Sequence, residues 1–393
     1  MSAVAIAWLA LKLAPPGSRG LWVGAAVAAY SLPGAAGVVV LRRWLHGRAG
    51  VRLAFINAVL RTVALGLVGC LALAGLLDPL GYVCLLGVSS LLSAWGGAGK
   101  YTLIAQLLPP EQRVAGNTVF GVTDQASLTI GPALAGLLTA LTGPAVVIVA
   151  DAASWAVLAI SYARVATLVR RTAAPALSGP ASSEPAPASS SAGAWALIKS
   201  SPVLPGLLAL SFFFYLLYGP VEVALPVHVA SDLHGSAMLL GIFWAVFGVG
   251  AIIGELAAPF LRRLPVWPTM TGIVLGWGLA LVPLGLNVPL WAALGAFCVG
   301  ALIWGPWMSL SMAVFQEAAP PAALAQVLAA RGSLLILASP LGTALGGPII
   351  AALGARGTLL TSALATIGLG LITIAVLARV AYPNRSRVAP TRS

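Results

Sequence analysis

Apolar stretches of about 20 residues follow one another from end to end of the chain, separated by short turn-forming clusters. Such runs are too long for buried strands. Their Leu, Ala and Val content suits helices that cross a bilayer, where every backbone polar group is satisfied inside its own segment. A transmembrane barrel would need segments of roughly ten residues that alternate apolar and polar side chains, and the chain has no such alternation. The pattern predicts helices over 21–41, 53–76, 81–107, 115–141 and 145–165, then over 203–230, 236–261, 269–286, 289–317, 323–353 and 357–380. Asp78-Pro79, Pro109-Pro110, Gly143-Pro144, Asn287 with Pro289, and Pro320-Pro321 break them.

The two sets of helices are related. Pro109-Pro110, Gly131, Gly136 and Gly143 recur as Pro320-Pro321, Gly342, Gly347 and Gly354, each offset by 211 residues, with Leu134 and Leu345 in the same register. Glycines repeated at helical spacing mark a duplicated packing surface. Between the copies, residues 172–193 are dominated by Ala, Ser and Pro without apolar periodicity, as in a disordered linker. The expected organisation is a helical bundle over 1–165, a linker over 166–200, a second bundle over 201–380 and a tail over 381–393. The stretch after Gly235 resembles that after Gly17, with Arg262-Arg263 opposite Arg42-Arg43. Upstream of Gly235 there is room for a full helix, whereas only 16 residues precede Gly17, so the first helix is expected to be truncated or unusually short. A signal peptide is the competing reading, but no basic segment precedes the apolar run.

Composition agrees: 60% of residues are hydrophobic, 8% are charged and the mean hydropathy is +1.01, values of an integral membrane protein. The net charge of +12 reads as topology. Arg42, Arg43, Arg48, Arg52, Arg113, Arg164, Arg170, Arg171, Lys199, Arg262, Arg263, Arg379, Arg385, Arg387 and Arg392 fall on one face, against Lys12, Arg19 and Arg356 on the other. The rich face, with linker and C-terminus, is expected to be cytoplasmic. No basic patch interleaved with aromatics suggests nucleic acid. Cys70, Cys84 and Cys298 lie in apolar segments without paired spacing, and neither a disulfide framework nor a metal site is indicated. His46, His228 and His234 lack metal-ligand spacing; His228 and His234 bracket Asp232 and read as solvated loop residues.

The segment LLPPEQRVAGNTVFGVTDQASLTIGPALAGLLTALTGPAVVIVADAASWAV, with Asn117, Gly131-Pro132-x-x-x-Gly136 and Asp151-Ala152-x-Ser154, resembles the corresponding region of bacterial exporters of the major facilitator superfamily that include enterobactin and macrolide efflux proteins. The resemblance implies an all-α membrane protein of two six-helix bundles with pseudo-two-fold symmetry, enclosing a shared cavity that is opened to each side in turn. It implies that Gly131, Pro132 and Gly136 form the fifth-helix motif associated with export, where small residues let helices approach and proline bends the backbone; generic close packing is the alternative. The family's charged latch after helix 2 finds its best match in Gly47-Arg48-Ala49-Gly50-Val51-Arg52, where Gly47 replaces the Asp and Val51 an Arg. Arg61 matches an arginine of the third helix, either capping that loop or snorkelling to the interface.

Ionisable groups at membrane depth are costly and therefore functional candidates. Asp124, on the fifth helix beside Gln125, is read as a proton-coupling carboxylate or a structural pair. Glu222 follows Tyr215 and Tyr218 at spacings of seven and four on one helical face, beside Gly219-Pro220. That stripe presents aromatic walls and a second proton-coupling carboxylate to a substrate, or satisfies polar atoms between helices. Lys100 binds an anionic group, pairs with Asp124 or snorkels. Glu255 and Arg331 form a gate or a buried pair. Trp95 and Trp304 hold matching places before the Pro-Pro loops and, with Trp307, are cavity walls for an aromatic substrate or packing residues. Asp151 is read as a capping or packing residue, with direct substrate contact as the alternative.

No nucleotide-binding loop, catalytic triad or zinc pattern occurs, so no enzymatic activity and no cofactor are expected. Transport must draw on an ion gradient or the substrate's own. The expectation is a monomeric secondary exporter in a bacterial inner membrane, exchanging protons for a small amphipathic antibiotic, secondary metabolite or siderophore. An importer of a small nutrient and a non-transporting or degenerate receptor are the alternatives. The preponderance of Arg over Lys, with heavy Ala and Gly use, points to a GC-rich bacterial genome.

Overall fold

A computed structural model of the chain describes residues 2–15, 17–40, 50–93, 95–96, 123, 127, 130–172, 191–318 and 324–385. Every regular element among them is helical. In chain order these are α1 (Ser2–Leu13), α2 (Arg19–Val40), α3 (Gly50–Leu73), α4 (Pro79–Ser90), α5 (Ile130–Thr142), α6 (Pro144–Thr172), α7 (Ser191–Ser200) and α8 (Leu204–Val227), which runs into a π-helical turn at His228–Asp232. Then come α9 (Ala237–Leu256), α10 (Ala258–Leu261), α11 (Val266–Gly285), α12 (Leu290–Trp304), α13 (Trp307–Ala318) and α14 (Leu324–Arg385). Seven of the described helical stretches are long and apolar enough to cross a membrane. Large apolar side chains such as Val63, Ile160, Leu364 and Leu371 stand more than half exposed on them. In water such a surface would be a liability, whereas against hydrocarbon it costs nothing.

Local chemistry sets the breaks. Asp78 caps α4, its carboxylate accepting from the amides of Leu80 (3.2 Å) and Gly81 (3.1 Å), with Pro79 at the first helical position. Gly143 has φ +87°, a left-handed conformation that ends α5 one residue before Pro144 opens α6. Its repeat partner Gly354 has φ +72° and breaks α14 in the same way, so the duplicated glycine keeps its backbone role.

The observed elements depart from expectation at one long helix and at the linker. The stretch expected as one helix over 289–317 is divided at Gly305-Pro306 into α12 and α13. The linker expected over 166–200 is helical at both ends, since α6 continues to Thr172 and α7 begins at Ser191, while residues 173–190 lie outside the described residues. As expected, the first helix is short: α1 has 12 residues, about 18 Å at 1.5 Å per residue against a hydrocarbon core of roughly 30 Å.

The chain forms two compact units. The first comprises Met1–Ser189 with Glu222–Ala245 and Thr343–Ala352; the second comprises Ser190–Val221, Val246–Gly342 and Leu353–Ser393. In the first unit α3 lies along α6 as the most extensive helix pair, and α2 lies along α4. The Tyr82 hydroxyl donates to the Ile6 carbonyl at 2.9 Å, tying α4 to α1, and Ser90 Oγ donates to the Ala29 carbonyl at 2.9 Å. In the second unit α11 lies along α12 over a core that includes Trp277, Phe297, Phe214 and Trp307, all nearly inaccessible.

Candidate functional site

In the first unit the duplicated glycines act as contact points between backbones. A Cβ on Gly136 of α5 would stand 2.6 Å from Gly241 Cα and 2.8 Å from the Ala237 carbonyl oxygen on α9. A Cβ on Gly24 of α2 would stand 2.7 Å from Cα of Gly347, the repeat partner of Gly136. Only glycine permits such approaches. Gly131 is buried and Pro132 half-buried on the same helix, and the Pro132 carbonyl faces Gly241. The fifth-helix motif is thus the side of α5 that meets α9.

Arg61 lies in the interior of the first unit. Near the middle of α3 it is buried, its Nη1 donates to the Tyr30 hydroxyl at 2.8 Å, and its guanidinium lies 5.1 Å from the Tyr30 ring and 4.7 Å from the Trp155 ring. Two aromatic faces replace the water that a cation loses at this depth. Asn57, one turn earlier, is also buried, and its amide abuts Gly96. Trp95 is half-buried and donates its indole N–H to the Gly37 carbonyl at 2.9 Å, holding the residues after α4 to α2. Arg52 is exposed on the first turn of α3. Arg48, Lys100 and Asp124 lie outside the described residues, as do Gly47 and Ala49 of the latch.

Glu222 is half-buried on α8 and belongs to the first unit. Six residues on, the reading of His228 as a solvated loop residue is corrected. The helix continues through the π turn, burying His228 to 2% exposure with Nδ1 2.7 Å from an Asp232 carboxylate oxygen. The His228–Asp232 spacing of four is the sequence signal that marks such a pair, and π turns recur at functional sites. Of the two described histidines, His234 is the exposed one, with φ +51°.

The second unit holds the aromatic residues. Tyr218 stacks on Trp304 at 6.5 Å and meets Trp277 at 5.9 Å, while Phe247 touches Trp304, Trp277 and Phe297. Tyr215, Tyr218 and Trp304 are half-buried. Trp307 is corrected from a wall residue to a core residue, wholly buried with its ring 4.6 Å from Phe214. Its indole N–H leans toward the Tyr215 hydroxyl without closing a hydrogen bond of acceptable geometry.

Glu255 and Arg331 do not pair. Glu255 is exposed and accepts from the Ser309 hydroxyl, whereas Arg331 is buried and donates from Nη2 to Ser311 Oγ at 2.7 Å. Their similar depth along their helices does not bring them to the same side. At the end of α10, Arg262 pairs with Glu317 of α13, both exposed. Asp151 is half-buried on α6, with Ser154 Oγ donating to its carbonyl. Cys70 and Cys84 are exposed thiols and Cys298 is half-buried. No cluster of three or more metal-ligating side chains occurs among the described residues.

A family model described as Major Facilitator Superfamily matches residues 1–335. The chain is 28% identical over 310 residues to the multidrug efflux pump Tap of Mycobacterium tuberculosis, covering 76% of this chain and 71% of that protein. It is 28% identical over 309 residues to the enterobactin exporter EntS of Citrobacter koseri, covering 78% and 67%. Among solved structures, a bacterial homolog of the human lysosomal transporter Spinster, inward-facing and unoccupied, superimposes with a TM-score of 0.71 at 15% identity over 95% of this chain and 91% of that one. The nucleoside transporter NupG does so with a TM-score of 0.63 at 16% identity over 96% and 97%. At these identities the two structures show the fold alone.

Proposed function

Because this chain belongs to the major facilitator superfamily, and is therefore a multi-pass membrane transporter and not an enzyme, we propose that it exports a small amphipathic compound from a bacterial cell in exchange for protons. The observation that carries the direction is the similarity, over about three quarters of the chain, to proteins named as a multidrug efflux pump and an enterobactin exporter.

In this reading the half-buried rings of Tyr215, Tyr218 and Trp304 receive the apolar body of the substrate. Glu222 and Asp124 carry the protons. A carboxylate removed from water favours its neutral form, so protonation and release can follow a change in access. The Gly24–Gly347 and Gly136–Gly241 approaches are surfaces that part and re-form as access alternates, since backbone contacts without side chains separate without repacking. The cargo is an antibiotic, secondary metabolite or siderophore, and the protein acts as a monomer in the cell membrane.

Expression in a sensitive host tests this. Raised tolerance or secretion that Glu222→Gln or Asp124→Asn abolishes supports proton-coupled export; full activity in both variants removes these carboxylates from the mechanism. Uptake of label down an inward gradient would show an importer instead.

A further inference from the structure

Arg331 is 5% exposed and begins a candidate membrane span, Ala330–Arg379. A cation in that position is expensive unless something supplies negative charge. Nothing described does so. Its Nη2 donates to Ser311 Oγ (2.7 Å) and lies 3.9 Å from Met308 Sδ, its plane stands over the Phe315 ring at 5.2 Å, and its Nε is buried without a partner. Among the described residues no carboxylate reaches it, since Glu255 accepts from Ser309 and Glu317 pairs with Arg262.

The neighbourhood is rich in donors. The buried indole N–H of Trp307 makes no well-formed hydrogen bond and leans toward the Tyr215 hydroxyl, which sits within electrostatic reach of Arg331. Arg61 in the first unit also keeps a buried Nε without a partner, but it has two aromatic rings and a tyrosine hydroxyl around it where Arg331 has one ring, a thioether and a serine hydroxyl. A buried set of unmatched donors around a fixed positive charge calls for an anionic acceptor from outside the chain.

A route exists. Met308 is 46% exposed, and its sulfur touches both the Tyr215 hydroxyl (4.0 Å) and Arg331 Nη2 (3.9 Å), so one flexible, unbranched side chain covers the guanidinium. Beside it Ser309, Gly332 and Ser333 are exposed, a polar margin that hydrocarbon would not favour and water would.

We propose that Arg331, with Ser311 and Tyr215, is the recognition point for one anionic oxygen group, a carboxylate or ionised phenol, on an otherwise aromatic substrate. This rests on the export reading above and narrows its substrate class. Displacement of Met308 admits the anion, which accepts from the guanidinium fork while the rings of the same unit hold the apolar part.

Matched probes test it: pyrenebutyrate and its methyl ester, titrated into the full-length protein in nanodiscs and read by energy transfer from tryptophan to pyrene. The carboxylate is expected to bind about tenfold or more tightly than the ester, the effect of a buried charge-assisted hydrogen bond. Arg331→Gln is expected to bring the ratio to about one, Arg331→Lys to leave an intermediate ratio because it keeps the charge without the fork, and Ser311→Ala to lower it severalfold. If Arg331→Gln does not fold, the other two variants carry the test. An anion preference that survives all three substitutions, or wild-type protein that binds both probes equally, overturns the proposal and leaves the export reading standing. Binding of neither probe overturns the proposal together with the aromatic-wall reading.

Discussion

Replacing Gly136 with alanine places one methyl group where the structure has no room for it. The added Cβ would lie 2.6 Å from Gly241 Cα and 2.8 Å from the Ala237 carbonyl oxygen, against about 3.5–4.0 Å for an unstrained carbon contact. Both obstacles are backbone, so no rotamer change relieves them, and α5 and α9 must separate by roughly 1 Å. Overpacking of this kind costs about 1–3 kcal/mol, which lowers the population of the closely packed arrangement about 5- to 150-fold. The assay is alkylation of a single cysteine introduced at the half-buried Ala133, after replacement of Cys70, Cys84 and Cys298, alongside the melting temperature. Gly136→Ala should raise the labelling rate severalfold or more and lower the melting temperature. The corresponding Gly241→Ala change should do the same, and the double variant should depart from the sum because the two residues share one contact. Labelling and melting unchanged in Gly136→Ala would refute the claim that these backbones touch. Gly368→Ala, whose Cβ meets nothing within 4 Å, is the control and should be neutral or mildly stabilising.

Other expectations follow from single contacts. Gly143→Ala and Gly354→Ala put a side chain on left-handed backbone and should each cost about 1–2 kcal/mol in thermal unfolding. Asp78→Ala should cost about 1 kcal/mol by removing the α4 cap, with Asp78→Asn retaining most of it. Tyr30→Phe leaves the buried Arg61 donor without its acceptor and should cost about 1–3 kcal/mol, read by the same unfolding measurement.

The fold was legible because the bilayer writes it into composition: apolar runs gave the helices, and the 211-residue offset gave paired glycines whose shared backbone roles at Gly143 and Gly354 the structure shows. Continuous hydrophobicity concealed the division at Gly305-Pro306, because an apolar run reads as one helix even where glycine and proline interrupt it. The sites were less legible, since side-chain direction depends on partners distant in sequence. Arg61 is held by Tyr30 and Trp155, which no local pattern connects to it. Depth along a helix suggested a Glu255–Arg331 pair, but azimuth decides contact, and the two turn to Ser309 and Ser311 instead. His228 was misplaced because a π turn carried the helix past the point where polar residues suggest a loop.

Inside-out membrane vesicles, with the cytoplasmic face outward, test the central claim most directly when an amphipathic fluorescent dye is supplied and the interior is made acid. Proton-coupled export predicts that dye accumulates inside as protons leave, that a protonophore abolishes accumulation, and that Glu222→Gln protein behaves like empty membranes. Accumulation indifferent to the proton gradient, or dye driven outward by the same gradient, would contradict it.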